Sequence, residues 1–307
     1  MAIEYAIIIK NKTRLELLVE RFNTVAQARF YIEHSGGDFS DYEAEHEMFH
    51  QSLSSMQRQL SNIIKNKIVD RVFLPSFLFN DKQVVIVVGQ DGLVANTAKY
   101  VNNIPIIAVN PDEKRYDGVL LPFKPTNFLP QVEKVIAKTH TTKSVILAEA
   151  RLNDGQRLLA FNDLFIGVNS HVSARYKILY NKNNEEHSSS GIIVSTPSGT
   201  TGWLSSIFNM IYSIGNMIEK NSAKRMQPKL KNEQLMFIVR EPFLSKKTQI
   251  NVCGGIINKA QELVLESLMP SNGIIFSDGV EADFLNFNAG TIVTIGVAKE
   301  KVQLVIA

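Results

Sequence analysis

The residues best placed to do chemistry sit in Val84-Val85-Ile86-Val87-Val88-Gly89-Gln90-Asp91-Gly92-Leu93. Five consecutive β-branched residues read as a strand buried on both faces, as in a parallel sheet. Leu93, Val94, Thr97, Ala98 and Val101 then start a helical pattern. Gly89 and Gly92 allow a tight turn and let backbone N–H groups approach a ligand. The positive end of the following helix favours an anion such as phosphate there. Asp91 puts a negative charge where that anion would sit. Either it caps a helix starting at Leu93, or its carboxylate takes a proton from a hydroxyl attacking a nearby phosphoryl group.

A second candidate is Ser195-Thr196-Pro197-Ser198-Gly199-Thr200-Thr201-Gly202-Trp203, which ends a strand and starts a helix. Hydroxyls and glycines at a helix N-terminus can donate to phosphate oxygens. One cap needs only one hydroxyl, so the surplus favours a ligand-binding loop. The third candidate, Asn162-Asp163 before an apolar strand, is either a plain turn or a pair able to read a ribose or amide. His46 and His50 are four apart on a helix. With no third ligand in a recognisable pattern they read as surface or packing residues, and no metal ligand is assigned. His171 has no identifiable partner, and Ser277-Asp278-Gly279 reads as a β-turn. No GxxxxGK[ST], GxGxxG or GxSxG motif is present.

The elements that must position these residues change character along the chain. Residues 5–9 read as a buried strand, and Arg14 to about Ile32 as one helix with Leu15, Leu18, Phe22, Val25, Ala26 and Phe30 on its apolar face. Gly36-Gly37 ends it. Ser40-Asp41 is expected to cap a second helix whose face carries Phe49, Leu53, Met56, Leu60 and Ile63. Val69–Leu74 and Ile104–Asn110 read as strands, with Pro105 at a strand start. Strand–helix–strand around residues 84–110 is a βαβ unit, so residues 1–140 are expected to form an open α/β, Rossmann-like domain. Ligands of such sheets bind beyond the carboxyl ends of the strands, where Gly89 and Asn110 fall.

From Ser144 onward short β runs dominate. They are Ser144–Ala148, Leu158–Phe161, Phe165–Val168, Arg175–Tyr180, Ile192–Ser195, Phe237–Val239, Gln249–Val252, Leu263–Leu265, Gly273–Phe276, Thr291–Val297 and Val302–Ile306. Asn153-Asp154-Gly155, Asn181–Asn184, Cys253-Gly254-Gly255 and Ser271-Asn272-Gly273 read as turns. One helix, Thr201–Lys220, interrupts the series, and residues 221–233 read as a solvated loop. Residues 141–289 are therefore expected to form a mostly β domain. The chain has 307 residues, is 45% hydrophobic and carries a formal charge of +3, which describes a globular protein with no electrostatic case for nucleic acid or membrane. A single cysteine, Cys253, excludes an internal disulfide. With no signal-peptide pattern and no long apolar run, a cytoplasmic protein is expected.

Taken together, Gly89-Gln90-Asp91-Gly92, Asn162-Asp163 and Ser195–Trp203 resemble the marks of the NAD kinase family, in the family's order. Val109–Gly118, Ser189-Ser190-Gly191, Trp203 and Arg240-Glu241-Pro242 extend the resemblance to the divergent branch typified by the animal mitochondrial NAD kinase, as does Gly36-Gly37-Asp38-Phe39 to His46. The resemblance implies an α/β nucleotide domain plus a β-sandwich with the active site between them, and a C-terminal segment, about 290–307, that returns to the first domain. It implies that Asp91 activates the 2′-hydroxyl of the adenosine ribose of NAD, and that Mg²⁺ accompanies ATP or another phosphate donor. Gly89, Gly92, Thr196, Ser198, Gly199, Thr200 and Thr201 would line phosphates. Asn162, Asp163, Ser190 and Trp203 would hold NAD, in a homodimer or homotetramer.

Three positions depart from the family pattern. Gln90 replaces a glycine, Leu93 a threonine, and Ser190 the acid of many bacterial members. The first two keep open a nucleotide-binding homologue without kinase activity. A lipid or sphingoid kinase with a related Gly-Asp-Gly loop is a further alternative, against which Asn162-Asp163 and the Thr196–Thr201 loop argue.

Overall fold

The computed structural model describes residues 2–219 and 224–307. The chain divides into two compact units, Met1–Ser144 with Val302–Ala307, and Val145–Lys301. No described helix is long and apolar enough to cross a membrane.

The first unit runs β1 (Tyr5–Lys10), α1 (Arg14–Phe22), α2 (Val25–His34), α3 (Phe39–Ser61), β2 (Lys65–Asp70), β3 (Gln83–Val88), α4 (Asp91–Ala98), β4 (Pro105–Val109) and α5 (Leu129–Ile136). Strands β2, β1, β3 and β4 are neighbours in that order and all parallel. Every residue of β3 is buried, as a central parallel strand requires. Phe49, Leu53, Met56 and Leu60 of α3 pack with Val84, Ile86 and Val88 of β3 in one core.

The single helix expected over Arg14–Ile32 is two. Asn23 takes a left-handed conformation (φ 66°) and ends α1, and Thr24 caps α2 by accepting from the Gln27 N–H. Asp38, not Ser40-Asp41, caps α3, and Ile63 lies beyond its end. The strand expected over Val69–Leu74 lies earlier, as β2. Asp70 accepts from the Val72 N–H and turns the chain into a short 3₁₀ segment, Arg71–Ser76. Helix α5 had no counterpart among the expected elements.

The second unit runs β5 (Thr141–Leu152), β6 (Arg157–Ala160), β7 (Asp163–Val168), β8 (Ala174–Tyr180), β9 (Asn183–Ser189), β10 (Ile192–Ser195), α6 (Trp203–Glu219), β11 (Leu235–Val239), β12 (Gly254–Ile257), β13 (Leu263–Ser267), β14 (Gly273–Ser277), β15 (Val280–Asn286) and β16 (Ile292–Ile306). One antiparallel sheet has the order β12-β11-β10-β7-β14-β15. Strands β16, β13, β8 and β9 pair in that order in another. Side chains of both, including Ile166, Tyr176, Ile192, Phe237, Leu265 and Ile275, share one core, which makes a β-sandwich. Strand β16 is long: Ile292–Ile295 pair with β13, while Gln303 and Leu304 pair, in parallel, with Pro105 and Ile106 of β4.

Differences from the sequence reading have local causes. Strand β9 was read partly as a turn because its inward residues are polar. The buried Glu185 carboxylate lies 3.0 Å from His187 Nε2 and accepts the N–H groups of Asn251 and Val252. Those same contacts take Gln249–Val252 out of any strand. Cys253-Gly254-Gly255 enters β12 instead of turning. Gly255 is needed there, since a Cβ would lie 2.6 Å from the Tyr180 ring. Strand β15, whose own residues are mostly exposed, was missed. Helix α6 starts at Trp203 instead of Thr201, after a 3₁₀ turn over Ser198–Thr201. The expected end at Lys220 and residues 221–223 of the expected loop lie outside the described residues.

Candidate active site

The residues singled out by sequence fall into two clusters, one in each unit. In the first, β3 delivers the chain through buried Gly89 to α4. Asp91 does not cap a helix starting at Leu93. The helix begins at Asp91, and Gln90 is the N-cap without a side-chain capping bond. The Asp91 carboxylate instead accepts two backbone N–H groups, from Val119 (3.0 Å) and Leu120 (2.8 Å), one on each oxygen. Each oxygen keeps acceptor capacity, and the carboxylate plane is fixed. The loop that holds it is itself pinned. Asn110, buried at the end of β4, donates to the Tyr116 carbonyl (2.9 Å) and accepts from the Asp112 N–H (3.0 Å). Gly118 in that loop has φ +67°, and a Cβ there would lie 2.8 Å from Asn110 Nδ2.

Gly89, Gln90 and Gly92 line a cavity of about 270 Å³ together with Lys12, Arg14, Arg71 and Tyr116. Asp91 is half-buried and turned toward the 119–120 backbone. Gln90 occupies the place of the expected glycine and lines the cavity with Tyr116, whose hydroxyl donates to Glu45 (3.1 Å). A Cβ on Gly92 would meet nothing within 4 Å, whereas one on Gly89 would stand 3.0 Å from Leu93 Cδ2. The basic lining was missed in the sequence. Its signal was available: Asn11-Lys12-Thr13-Arg14 follows β1 directly, at the carboxyl end of a parallel strand. Not all of this charge is free. Arg14 pairs with Asp41 and Glu45, and Lys12 with Glu20.

In the second unit, Asn162 and Asp163 do form the turn into β7. Asp278 clamps it: its carboxylate accepts the N–H groups of Phe161 (2.9 Å), Asn162 (2.6 Å) and Asp163 (3.2 Å). Ser277-Asp278-Gly279 is a turn, as expected, with Asp278 and Gly279 both at positive φ, but its acid had not been read as part of the site. Ser195 donates its hydroxyl to Asp163 Oδ1. Burial, with the nearby Asp278 charge adding to it, pushes the Asp163 carboxyl up to about 7 against the opposing Ser195 bond.

The hydroxyl-rich loop is more internally committed than the surplus of hydroxyls implied. Thr196 is fully buried; its hydroxyl donates to the Phe161 carbonyl (2.6 Å) and accepts the Ser198 and Gly199 N–H groups. Thr200 donates to the Pro197 carbonyl (2.9 Å). Ser198 and Thr201 have no side-chain hydrogen bond among the described residues. Gly199 is forced: a Cβ would lie 2.4 Å from the Asn162 carbonyl, 2.6 Å from Ser195 Oγ and 2.7 Å from Asp163 Oδ1. The loop is thus seated directly on the Asn162-Asp163 turn. Trp203 is stacked on Phe165 (5.8 Å, 8°), with the Arg240 guanidinium 5.4 Å from its ring centre. Ser190 is half-buried and its N–H donates to the Arg240 carbonyl (2.9 Å).

An α/β unit with a glycine–acid turn beyond a central strand is thus followed in the chain by an antiparallel sandwich presenting an Asn-Asp turn. No family model and no curated protein matches the chain. Among solved structures the chain is similar to yeast NADH kinase complexed with NADH, at 12% identity and a TM-score of 0.61, over 100% of this chain and 84% of that one. It is also similar to an NAD kinase from Archaeoglobus fulgidus in complex with ATP, at 14% identity and a TM-score of 0.55, over 98% of this chain and 92% of that one. At such identities the likeness establishes the fold.

Proposed function

We propose that this chain is an NAD kinase, transferring a phosphoryl group from ATP or another donor to the 2′-hydroxyl of the adenosine ribose of NAD to give NADP. One observation carries the reading. The segments Gly89–Gly92, Asn162-Asp163 and Ser195–Trp203 stand in family order on a fold shared with two NAD(H) kinases. The extended motifs around Asn110, Ser190, Trp203 and Arg240 favour the divergent, mitochondrial-type branch, and a homodimer or homotetramer is carried over from the same resemblance.

In this reading Asp91 accepts the proton of the attacking hydroxyl. Its two backbone bonds orient the carboxylate and leave a lone pair on each oxygen for that proton. Gly92, with open space where a side chain would stand, and Arg71 receive the donor phosphates, with Lys12 and Arg14 joining them on release from Glu20 and from Asp41 and Glu45. Asn162 and Asp163, seated by Asp278 and Gly199, hold the dinucleotide. Ser198 and Thr201 are the loop hydroxyls left to meet phosphate, whereas Thr196 and Thr200 act through the loop's shape. Mg²⁺ would be held mainly by the donor's phosphates and water, and the half-buried Asp91 carboxylate, kept for the proton, is a negative charge compatible with a cation nearby. When bound with the donor it would neutralise phosphate charge.

The test is incubation with NAD, Mg²⁺ and a panel of donors, followed by an assay for NADP. Asp91→Asn is expected to lower kcat by about 10²–10⁴ while calorimetry shows NAD binding retained. Turnover undiminished in that variant sinks the role given to Asp91. Loss of NAD binding along with turnover would instead make Asp91 a loop anchor. A second reading, a nucleotide-binding homologue without kinase activity, is favoured by Gln90, which puts a side chain into the cavity lining where a glycine was expected. It predicts NAD binding with no turnover for any donor.

A further inference from the structure

We propose that Glu16, His46 and His50 form a binding site for a borderline-soft divalent cation such as Zn²⁺, independent of the phosphoryl-transfer reading. His46 and His50 lie one turn apart on the same face of α3, with ring centres 4.3 Å apart. The third ligand, which the sequence pattern did not reveal, comes from the first turn of α1. One ligating atom from each of the three residues lies within 4.8 Å of the other two. Four-coordinate Zn²⁺ with bonds of about 2.0–2.2 Å sets its ligand atoms roughly 3.4 Å apart, so small side-chain adjustments close the site.

The surroundings point the same way. Among the described residues His50 Nε2 is buried and has no hydrogen-bond partner, although it lies only 3.2 Å from Glu16 Oε1. A ring nitrogen and a carboxylate oxygen held this close, away from solvent and without a well-aligned hydrogen bond, are a pair that a cation can bridge. The other Glu16 oxygen is fixed, accepting the Thr13 N–H at 2.7 Å in a capping box. Oε1 is thereby presented to the histidines. Thr13 Oγ1 lies 2.9 Å from His46 Nδ1, an outer contact of the kind that orients a ligating imidazole. Lys10 Nζ is 3.9 Å from Glu16 Oε1, and Asp70 at 3.4 Å offsets its charge. All three ligands are half-buried, so an ion can enter from solvent.

Two imidazoles and one carboxylate select a cation such as Zn²⁺ over Mg²⁺ or Ca²⁺, which prefer all-oxygen shells. Three protein ligands leave a position for water. The bound ion would tie α1 to α3 and hold the Asn11–Arg14 segment, which lines the cavity beside Gly89 and Gln90.

The test titrates the full metal-free chain with Zn²⁺ against a chromogenic chelator and records the visible spectrum of the Co²⁺ form. One ion per chain is expected. Glu16→Gln, His46→Asn and His50→Gln should each weaken binding at least about tenfold, since even an outer-sphere partner is worth 10–100-fold. His171→Ala, an exposed histidine in the second unit, should leave binding unchanged. Zn²⁺ should raise the melting temperature of the parent chain and not of the three variants. The proposal falls if the parent chain binds no Zn²⁺, which would leave only a His50–Glu16 contact. It also falls if a folded His46→Asn/His50→Gln double variant binds as tightly, or if the Co²⁺ form of the parent chain lacks the bands of a low-coordinate nitrogen–oxygen site.

Discussion

Asp163→Asn separates what the Asn162-Asp163 turn does for the fold from what it does for a ligand. Burial raises the Asp163 carboxyl from 3.8 to about 7, so the folded state binds this proton more tightly than the unfolded chain. Between those values the unfolded state carries fewer protons, and stability falls as pH rises. The contribution is fully favourable below about pH 4 and is lost as pH climbs through 7. A shift of about three units corresponds to roughly 4 kcal/mol at ~1.4 kcal/mol per unit. Asparagine keeps the oxygen that accepts the Ser195 hydroxyl and removes the titration. The variant should therefore match or trail the parent at pH 4 and exceed it progressively up to pH 8, by as much as a few kcal/mol. Chemical denaturation of both proteins from pH 4 to 8.5 measures this. A difference that does not vary with pH would refute the assignment of a raised carboxyl to Asp163. On the proposed reading the same variant binds NAD more weakly, a stability–function conflict that calorimetry with NAD would detect.

Three further outcomes test the geometry. Gly199→Ala should destabilise the second unit by about 1–3 kcal/mol or more, because its Cβ meets three oxygens; a melting curve unchanged from the parent would contradict the packing. Gly92→Ala should leave stability unchanged or raise it by up to about 1 kcal/mol, as a helix position with open space predicts, while raising KM for the phosphate donor in the NADP assay. Gly118→Ala should strain a left-handed position by about 1–3 kcal/mol and loosen the amides that hold Asp91, lowering turnover more than it lowers the melting temperature.

The fold class was legible because its signals were local and strong. Val84–Val88 could only be a doubly buried strand, and the turn residues of the β region recur at sandwich spacing. What was not legible depended on partners distant in sequence. Nothing near Asp278 says that its carboxylate will gather the N–H groups of residues 161–163. Nothing near Asp91 names Val119 and Leu120. Strand β9 hid because its buried residues are Glu185 and His187, which read as surface. Glu16 is thirty residues from His46 and was passed over for the same reason. The surplus of hydroxyls in Ser195–Thr201 misled in the other direction: Ser195, Thr196 and Thr200 all serve the fold, so counting them overstated how many remain for a ligand.

The pairing of Ile106 with Leu304 constrains how the chain can be made. At about 5–20 residues per second, the neighbour of β4 leaves the ribosome on the order of 10–40 s after β4 itself. During that interval an apolar strand presents an unpaired edge, the template for misassociation that folded proteins normally cover. The first unit, though encoded almost wholly by the beginning of the chain, completes its sheet only when synthesis has passed through the second. Shortening the chain within β16 would therefore injure the unit farthest from the cut in sequence, and a nascent chain stalled before residue 302 should depend on chaperones that shield strand edges.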